Sequence, residues 1–432
     1  MTSAVQSAAI EEQLTRRRTA VAQAWSLDDA IVVIGAGSLI HRPGRADVTY
    51  PFEAHTEYFY LTDRNRPDGV LAFDPREGWV DFVAPITADD RLWSGAPAED
   101  PEEPTTDQLA QWLLARKDRQ VAWLGAPPED ARFDLELSQE LRFSLDRVRR
   151  PKDPVELERM RHAQQATRAA FATAVGLMSE GVSERQVQIE LEAEALRHGA
   201  DAMAYDTIVG GGPNSAVLHF APTHRRFATG DLVLIDAGAE YLGYASDITR
   251  TYPVGGRFDA QQADLHAVVH AAQQACIERC RPGVEWRDVH LTAARTIAEG
   301  LIAHGLLRGD PESLIEAGAV WLFFPHGIGH LVGLGVRDAG GPLAERRHDP
   351  KPYPNLRIDL PLEPGMVVTV EPGVYFVPAI LGDPDHRRRY RDQVDWDRVD
   401  RLLHFGGIRI EDNVLLTPEG QEIITADVPL LG

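Results

Sequence analysis

The sequence predicts a two-domain protein of mixed helix and strand, with an α/β domain over residues 1–150 and an α+β domain over residues 151–432. Three observations lead to this prediction. The chain has 432 residues, which is more than one ordinary hydrophobic core organises. Its content of 44% hydrophobic and 25% charged residues is that of a folded globular protein. A basic, proline-containing segment, RRPKDP at 149–154, separates two stretches of different pattern.

The first domain alternates short apolar runs with helical patterns. A charged N-terminal helix precedes the first apolar run, and turn residues separate the runs from one another. Such alternation is typical of an α/β domain. We expect strands at 31–34, 58–61, 70–73 and 80–83, and helices at 108–115 and 135–141.

The second domain begins with a strong helix start. Asp153 can cap a helix that has Pro154 at its first position, and Ser183 with Gln186 forms a capping box for the next helix. Further on, strands at 232–235 and 367–370 run directly into clusters of Asp, Glu, His and Gly. We expect helices at 154–177, 183–198, 259–280 and 286–304. The residues that carry the chemistry of the protein should lie after Asp206.

The charge balance narrows the class of partner. With 44 basic and 66 acidic residues, the formal net charge is -22, which repels nucleic acid and anionic membrane surfaces. The sequence contains neither a signal-peptide core nor an apolar run long enough to span a membrane. We therefore expect a cytoplasmic protein with neither a nucleic-acid nor a membrane partner.

The two cysteines predict neither a metal site nor a disulfide framework. Cys276 and Cys280 are four residues apart within a helical pattern, whereas cysteine-based zinc sites draw on closer pairs and additional ligands. We expect both on a buried helix face.

Residues 231–254 predict a hairpin that carries two carboxylates. An apolar strand leads to Asp236, a turn with Gly243 reverses the chain, and a second strand brings Asp247. A carboxylate at the end of a buried strand requires a cationic neighbour. Either aspartate alone is more simply explained as a salt-bridged turn residue.

Residues 323–341 carry two histidines, His326 and His330, in a glycine-rich context. Their spacing alone is weak support for a site. The glycines make a regular helix improbable and allow the backbone to approach a bound group.

Two further strands bring the remaining candidates. Glu371 follows an apolar strand immediately before a Pro-Gly turn, which fixes its carboxylate on a rigid element. In GGIRIEDN, strand alternation places Arg409 and Glu411 on one face. Four carboxylates and one histidine form an oxygen-rich set that suits two divalent cations such as Mn, Co or Zn.

The order Asp236, Asp247, HGIGH, EPG and GGIRIEDN resembles the pita-bread metallopeptidases, which include methionine aminopeptidase, aminopeptidase P and prolidase. The resemblance extends from about residue 154 to the end. More loosely, residues 50–69 resemble the N-terminal creatinase-like domain of prolidase and aminopeptidase P. The long segment at 378–405 resembles prolidase more than aminopeptidase P.

The resemblance implies a role for each candidate. Asp236 and Asp247 would bind one metal ion, and Asp247 and Glu411 would bridge to a second, which His330 and Glu371 complete. Between two cations a water loses its proton near neutral pH, and Glu371 would accept that proton and pass it to the leaving proline nitrogen. His219 and His326 match histidines that contact the substrate and stabilise the oxyanion.

Arg337 departs from the family pattern, because related prolidases carry a histidine there, in the proline pocket. Alone or with Arg409, it would bind the free carboxylate of a dipeptide. The alternative is that it folds back onto Asp338 or Asp247.

The first functional expectation is therefore an Xaa-Pro dipeptidase that acts on short proline-containing peptides. The alternatives are an Xaa-Pro aminopeptidase that acts on longer peptides and a weakly active or non-catalytic member of the fold. By resemblance we also expect a homodimer.

Overall fold

The computed structural model describes residues 3–93, 95, 103–128, 131–340 and 356–430. The chain divides into two compact units, residues 1–149 and 150–432. In the described part of the chain, no helix is long and apolar enough to cross a membrane.

The first unit is built around a mixed sheet with the strand order β5-β4-β1-β6. Strand β1 pairs parallel with β6 and antiparallel with β4, as an α/β arrangement with one reversed strand requires. The indole of Trp25 donates to the carbonyl of Leu141, which ties the first helix to the last helix of the unit. The helices are α1 (Ser3–Trp25), α2 (Thr56–Thr62), α3 (Ala88–Trp93), α4 (Leu109–Leu114) and α5 (Leu135–Arg149), and the strands are β1 (Ile31–Gly35), β2 (His41–Arg42), β3 (Arg45–Thr49), β4 (Val70–Asp74), β5 (Gly78–Phe82) and β6 (Val121–Gly125).

The strand predicted at 58–61 is wrong, because this run forms helix α2. All four side chains, Tyr58 to Leu61, are buried. A short, uniformly apolar run has no periodicity that separates a strand from a buried helix turn. The helix ends at Asp63, whose backbone is left-handed with φ 57°.

The helices predicted for the second unit are confirmed within three residues at each end. They are α6 (Pro154–Val175), α7 (Glu184–Arg197), α8 (Ala260–Arg279) and α9 (Trp286–Ala303), followed by α10 (Pro311–Ala317), α11 (Pro378–Leu381), α12 (Pro384–Arg389) and α13 (Trp396–Asp400). The Asp153 carboxylate accepts from the N–H groups of Val155 and Glu156, as the predicted cap requires. Cys276 on α8 and Cys280, which directly follows the last residue of α8, are both buried free thiols.

The strands of the second unit form several small sheets, with the orders β12-β9-β8, β13-β16-β17, β11-β10-β7 and β14-β15. They are β7 (Ala202–Met203), β8 (Ile208–Gly211), β9 (Leu232–Ala237), β10 (Ala239–Tyr241), β11 (Tyr244–Ala245), β12 (Ile248–Pro253), β13 (Val367–Val370), β14 (Gly373–Tyr375), β15 (Gly407–Arg409), β16 (Asp412–Thr417) and β17 (Gly420–Ile423). A bridge between Thr249 and Glu411 joins the start of β12 to the link between β15 and β16. The ends of several strands therefore meet in one place.

The largest hydrophobic core lies behind these strand ends. It combines the inner faces of α8 and α9 with Ile408, Ile410 and residues of the segment 378–405. Strand alternation therefore directs Arg409 and Glu411 to the other face, as predicted. The helices of the segment 378–405 belong to the scaffold that holds this strand.

Candidate metal centre

The hairpin carboxylates lie at the end of the β9–β12 ladder. Asp236 is the fifth residue of β9 and pairs with Thr249 on β12, while Asp247 directly precedes β12. The hydroxyl of Thr249 donates to Oε2 of Glu411 at 2.7 Å. Because this short polar contact crosses between strands, it brings the predicted Glu411 to the same place as the two aspartates.

His330 and Glu371 come together because the segment 326–330 runs beside β13. The backbone of His330 exchanges hydrogen bonds with Thr369, and the N–H of Glu371 donates to the carbonyl of Ile328. Gly329, with φ 153°, lies so close to this strand that a Cβ would stand 2.1 Å from the carbonyl oxygen of Thr369. Only glycine fits at this position, which is the physical reason for the glycine beside His330.

The hydrogen bonds of His330 fix its tautomer. Nδ1 lies 3.0 Å from the carbonyl oxygen of Leu331, which can only accept, so Nδ1 carries the proton. Nε2 lies 3.4 Å from Oδ2 of Asp247, and although burial opposes the shift, this carboxylate raises the pKa of His330, so Nε2 binds a metal ion when its proton is released. A histidine held in this way presents one nitrogen as a metal ligand.

The five predicted ligands line one cavity of about 600 Å³. Ligand atoms of Asp247, His330 and Glu411 lie within 4.8 Å of one another, and all three residues are buried. Asp236 and Glu371 complete the polar wall. Imidazole nitrogen and carboxylate oxygen are the donors that Mn, Co and Zn accept.

The raised pKa values of the carboxyl groups in this cluster are also consistent with a site for cations. Burial raises the pKa of Glu371 to about 7, although His330 and Arg409 oppose the shift. Burial likewise raises the pKa of Asp236 and, with the help of neighbouring carboxylates, that of Glu411. Carboxylates crowded in a buried site resist ionisation, and bound cations reverse that preference. The residues present therefore fit a dinuclear metal site.

Tyr205 is a member of the cluster that the sequence reasoning missed. Its hydroxyl lies 2.7 Å from Oδ1 of Asp236 and 2.6 Å from Oδ1 of Asp247. Burial and the nearby carboxylates raise its pKa well above the ordinary value, so it keeps its proton. No local motif distinguishes this tyrosine, because only the fold brings it to the hairpin.

Arg409 is buried behind the cluster and does not belong to the cavity wall. Its Nη2 donates to Oδ2 of Asp236 at 2.5 Å, Nη1 donates to the hydroxyl of Tyr375 at 2.9 Å, and Nε donates to Thr249. The structure therefore does not bring Arg409 together with Arg337. These contacts allow Arg409 to fix the position of the Asp236 carboxylate.

His326 has a partner on each ring nitrogen. Nδ1 lies 2.8 Å from the carbonyl of Gly327, and Nε2 lies 2.8 Å from the hydroxyl of Tyr375. Burial lowers the pKa of His326 to about 3, so the ring is neutral. The residues that line the cavity do not include His326, but its Nδ1 lies 3.8 Å from Oε2 of Glu371.

His219 and Arg337 are both exposed side chains of the cavity wall. Neither alternative partner of Arg337 binds it: Asp338 pairs with Nζ of Lys152 at 2.8 Å, and Asp247 contacts Tyr205 and His330. Within the described residues, Arg337 forms no ion pair.

A buried carboxylate, Glu184, holds the segment that carries His219. Oε1 accepts from the N–H of Gly211 and the side-chain amide of Asn214, and Oε2 accepts from the N–H and the hydroxyl of Thr223. Glu184 is fully buried. It therefore fixes both ends of the segment 211–223, in which His219 lies.

Comparisons with known protein families agree with this geometry. The model of metallopeptidase family M24 matches residues 158–418, and that of the aminopeptidase P N-terminal domain matches residues 14–106. The chain is 32% identical to a probable Xaa-Pro aminopeptidase of Botryotinia fuckeliana over 401 residues, which cover 88% of this chain and 86% of the relative.

Solved structures give the same result. Aminopeptidase P from E. coli with the inhibitor Pro-Leu is 30% identical, with a TM-score of 0.78, over 97% of this chain and 95% of that one. A zinc-substituted form of the E. coli enzyme in complex with product gives a TM-score of 0.80 at 30% identity, over 97% and 96%. Aminopeptidase PepP of Pseudomonas aeruginosa gives 0.79 at 28%, over 97% and 95%. These relatives favour the aminopeptidase alternative over the dipeptidase expectation.

Proposed function

The chain belongs to metallopeptidase family M24, and we propose that it removes the first residue from peptides whose second residue is proline. The observation that carries the proposal is the cluster of Asp236, Asp247, His330, Glu371 and Glu411 on the wall of one cavity, with every member buried except Glu371, which is partly buried. Such a cluster, open to solvent on one side, suits metal-assisted hydrolysis of a peptide that enters from that side.

The five residues would hold two divalent cations, with Asp236 and Asp247 on one, His330 and Glu371 on the other, and Asp247 and Glu411 between them. Mn is our first expectation, with Co and Zn as alternatives. Bound there, the cations would polarise the scissile carbonyl and lower the pKa of a water near it. The chain itself supplies the positions of the ligands, through Tyr205 and Arg409 on Asp236 and through the fixed tautomer of His330.

Glu371 is the proton carrier of the proposed reaction. In the metal-free chain, burial raises the pKa of the Glu371 carboxyl to about 7, so this group binds a proton more readily than an exposed carboxylate does. It would take the proton of the attacking water and deliver it to the nitrogen of the leaving proline. Cations bound beside Glu371 would lower this pKa, so that the carboxylate is available as a base.

His219 would donate a hydrogen bond to the substrate carbonyl from the exposed wall of the cavity. For His326 we propose a positioning role, because both of its ring nitrogens are engaged and its partner Tyr375 accepts from Arg409. Arg409 would act on the site through Asp236.

The length of the substrate separates the two peptidase activities. A dipeptidase cleaves Ala-Pro, whereas an aminopeptidase cleaves Ala-Pro-Ala and longer peptides. The relatives that cover most of this chain are named Xaa-Pro aminopeptidases, which supports the second activity. We expect a higher kcat/KM for Ala-Pro-Ala than for Ala-Pro with Mn-loaded protein. Cleavage confined to Ala-Pro would overturn the aminopeptidase assignment and restore the dipeptidase one.

A further inference from the structure

Two arginines, Arg185 and Arg337, line the cavity beside the metal cluster. Arg185 is the second residue of α7, and Arg337 follows the segment that carries His330, so the fold brings them to one cavity from distant parts of the chain. Both side chains are exposed, so a peptide in the cavity can reach them. Neither position belongs to the proposed metal ligands.

The guanidinium groups keep donors available. Nη1 of Arg185 donates to Oε1 of Gln188 at 2.6 Å, and the main-chain N–H of Arg185 donates to Thr223, which fixes the base of the side chain. Among the described residues, neither Arg185 nor Arg337 forms an ion pair, in a chain with 66 acidic and 44 basic residues. A guanidinium with free N–H groups suits a carboxylate.

The direction of the substrate follows from its own charge. The amino end of a peptide is an ammonium group at neutral pH, which two arginines repel and which the exposed carboxylate of Asp206, on the same wall, attracts. The arginine part of the wall therefore suits the carboxyl-terminal side of the peptide.

We propose that Arg185 and Arg337 form a subsite for a negative group on the leaving peptide, so that the enzyme prefers an acidic residue directly after the proline. This inference rests on the proposed function and adds the substrate class to it. The attraction of the two arginines for an acidic side chain acts at short range. The net charge of -22 has the opposite effect, because it repels acidic peptides at long range. At physiological salt that long-range field is screened beyond about 8 Å, whereas a contact ion pair persists.

The test compares three tripeptide amides, Ala-Pro-Glu, Ala-Pro-Gln and Ala-Pro-Lys, on the Mn-loaded full chain. Amidation removes the terminal carboxylate, so the third side chain is the variable charge. We expect kcat/KM for the Glu peptide to exceed that for the Gln peptide by about fivefold, with the Lys peptide lowest, since exposed ion pairs contribute modestly. Arg185→Gln and Arg337→Gln should each reduce this preference.

The double variant should lose the preference for Glu, because the exposed charged group that then remains on the described wall is the carboxylate of Asp206. Arg197→Gln is the matched control: it removes one positive charge from the same helix, at a side chain that is 62% exposed and paired with Glu194. This control should retain the wild-type preference. A wild-type enzyme without preference for Glu, or a preference that survives in the double variant, would overturn the proposal.

Failure of the proposed function is separable from failure of this subsite. If none of the tripeptides is cleaved, calorimetric binding of Pro-Glu-amide and Pro-Gln-amide to the Mn-loaded protein still tests the arginines. Tighter binding of Pro-Glu-amide that is lost in the double variant supports the subsite without any catalysis. Equal binding of the two compounds rejects it.

Discussion

At the scale of the residue, Tyr205 is the contact that links the two hairpin carboxylates. Its single proton is shared between Asp236 and Asp247, which lie 2.7 and 2.6 Å away. We expect Tyr205→Phe to weaken Mn binding by about 10- to 100-fold, the usual effect of removing a group that orients metal ligands. Isothermal titration of the metal-stripped protein measures it. Unchanged affinity would mean that the aspartates hold their positions without the hydroxyl.

Glu371 gives the metal-free protein a pH-dependent stability. Burial raises its pKa from 4.5 to about 7. Between these values the folded state holds a proton that the unfolded chain has released, so stability falls as the pH rises through this window. Glu371→Gln cannot titrate and lacks this contribution. The difference in melting temperature, wild type minus variant, should therefore decrease as the pH rises from about 4.5 to about 7.

The measurement is thermal unfolding of both metal-free proteins across this range. If the difference in melting temperature stays constant, or grows in favour of the wild type as the pH rises, the raised pKa of Glu371 is contradicted. Added Mn should reverse the trend, because cation binding favours the ionised carboxylate.

At the scale of the element, the segment 211–223 depends on Glu184. Glu184→Ala leaves four donors without their acceptor, and we expect it to lower kcat/KM about tenfold by releasing His219. In a His219→Ala background the same change should have little further effect on kcat/KM, because the two residues act together.

The control for this double-mutant experiment is Glu156→Ala, which removes another buried carboxylate, at the start of α6. Its effect should add to that of His219→Ala. Glu184→Gln, which keeps an acceptor oxygen, should recover part of the activity if the alanine variant is too unstable to assay. Additive effects of Glu184→Ala and His219→Ala would contradict the positioning role.

Elements with strong local signals were predictable from the sequence. The helix that begins at Pro154 has its cap, its proline and its capping box within four residues, and the structure contains all three. Tyr58 to Leu61 carries no such signal, because a buried apolar run fits a helix or a strand equally well. Long, capped helices are therefore predicted more reliably than short buried segments.

The residues of the site also divide into those that the sequence predicted and those that only the structure reveals. Asp236, Asp247, His330, Glu371 and Glu411 each lie near one end of a strand or beside a glycine, so the sequence could predict them locally, and they do line one cavity. Tyr205 and Glu184 were not visible, since their contacts join residues 27 to 42 positions away in the chain. The sequence also suggested substrate contact for Arg409, whereas the structure gives it Asp236 as a partner.

At the scale of the whole molecule, the assembly state remains a prediction. We expect a homodimer of the 47.8 kDa chain, as the family resemblance implies. Because each chain carries a formal charge of -22, the two copies repel each other, and dissociation should be stronger at low ionic strength. Sedimentation equilibrium at two salt concentrations measures both effects. A monomer at every protein and salt concentration would refute the dimer.

The central claim, metal-dependent cleavage after the first residue of an Xaa-Pro peptide, is tested most directly by reconstitution. The measurement is kcat/KM for Ala-Pro-Ala with metal-stripped protein, before and after addition of Mn, for the wild type and for Glu371→Gln. We predict no activity without metal, full activity with Mn, and a loss of about 10²- to 10⁴-fold in the variant. Absence of Mn-dependent cleavage in the wild type, or equal activity of Glu371→Gln, would contradict the account.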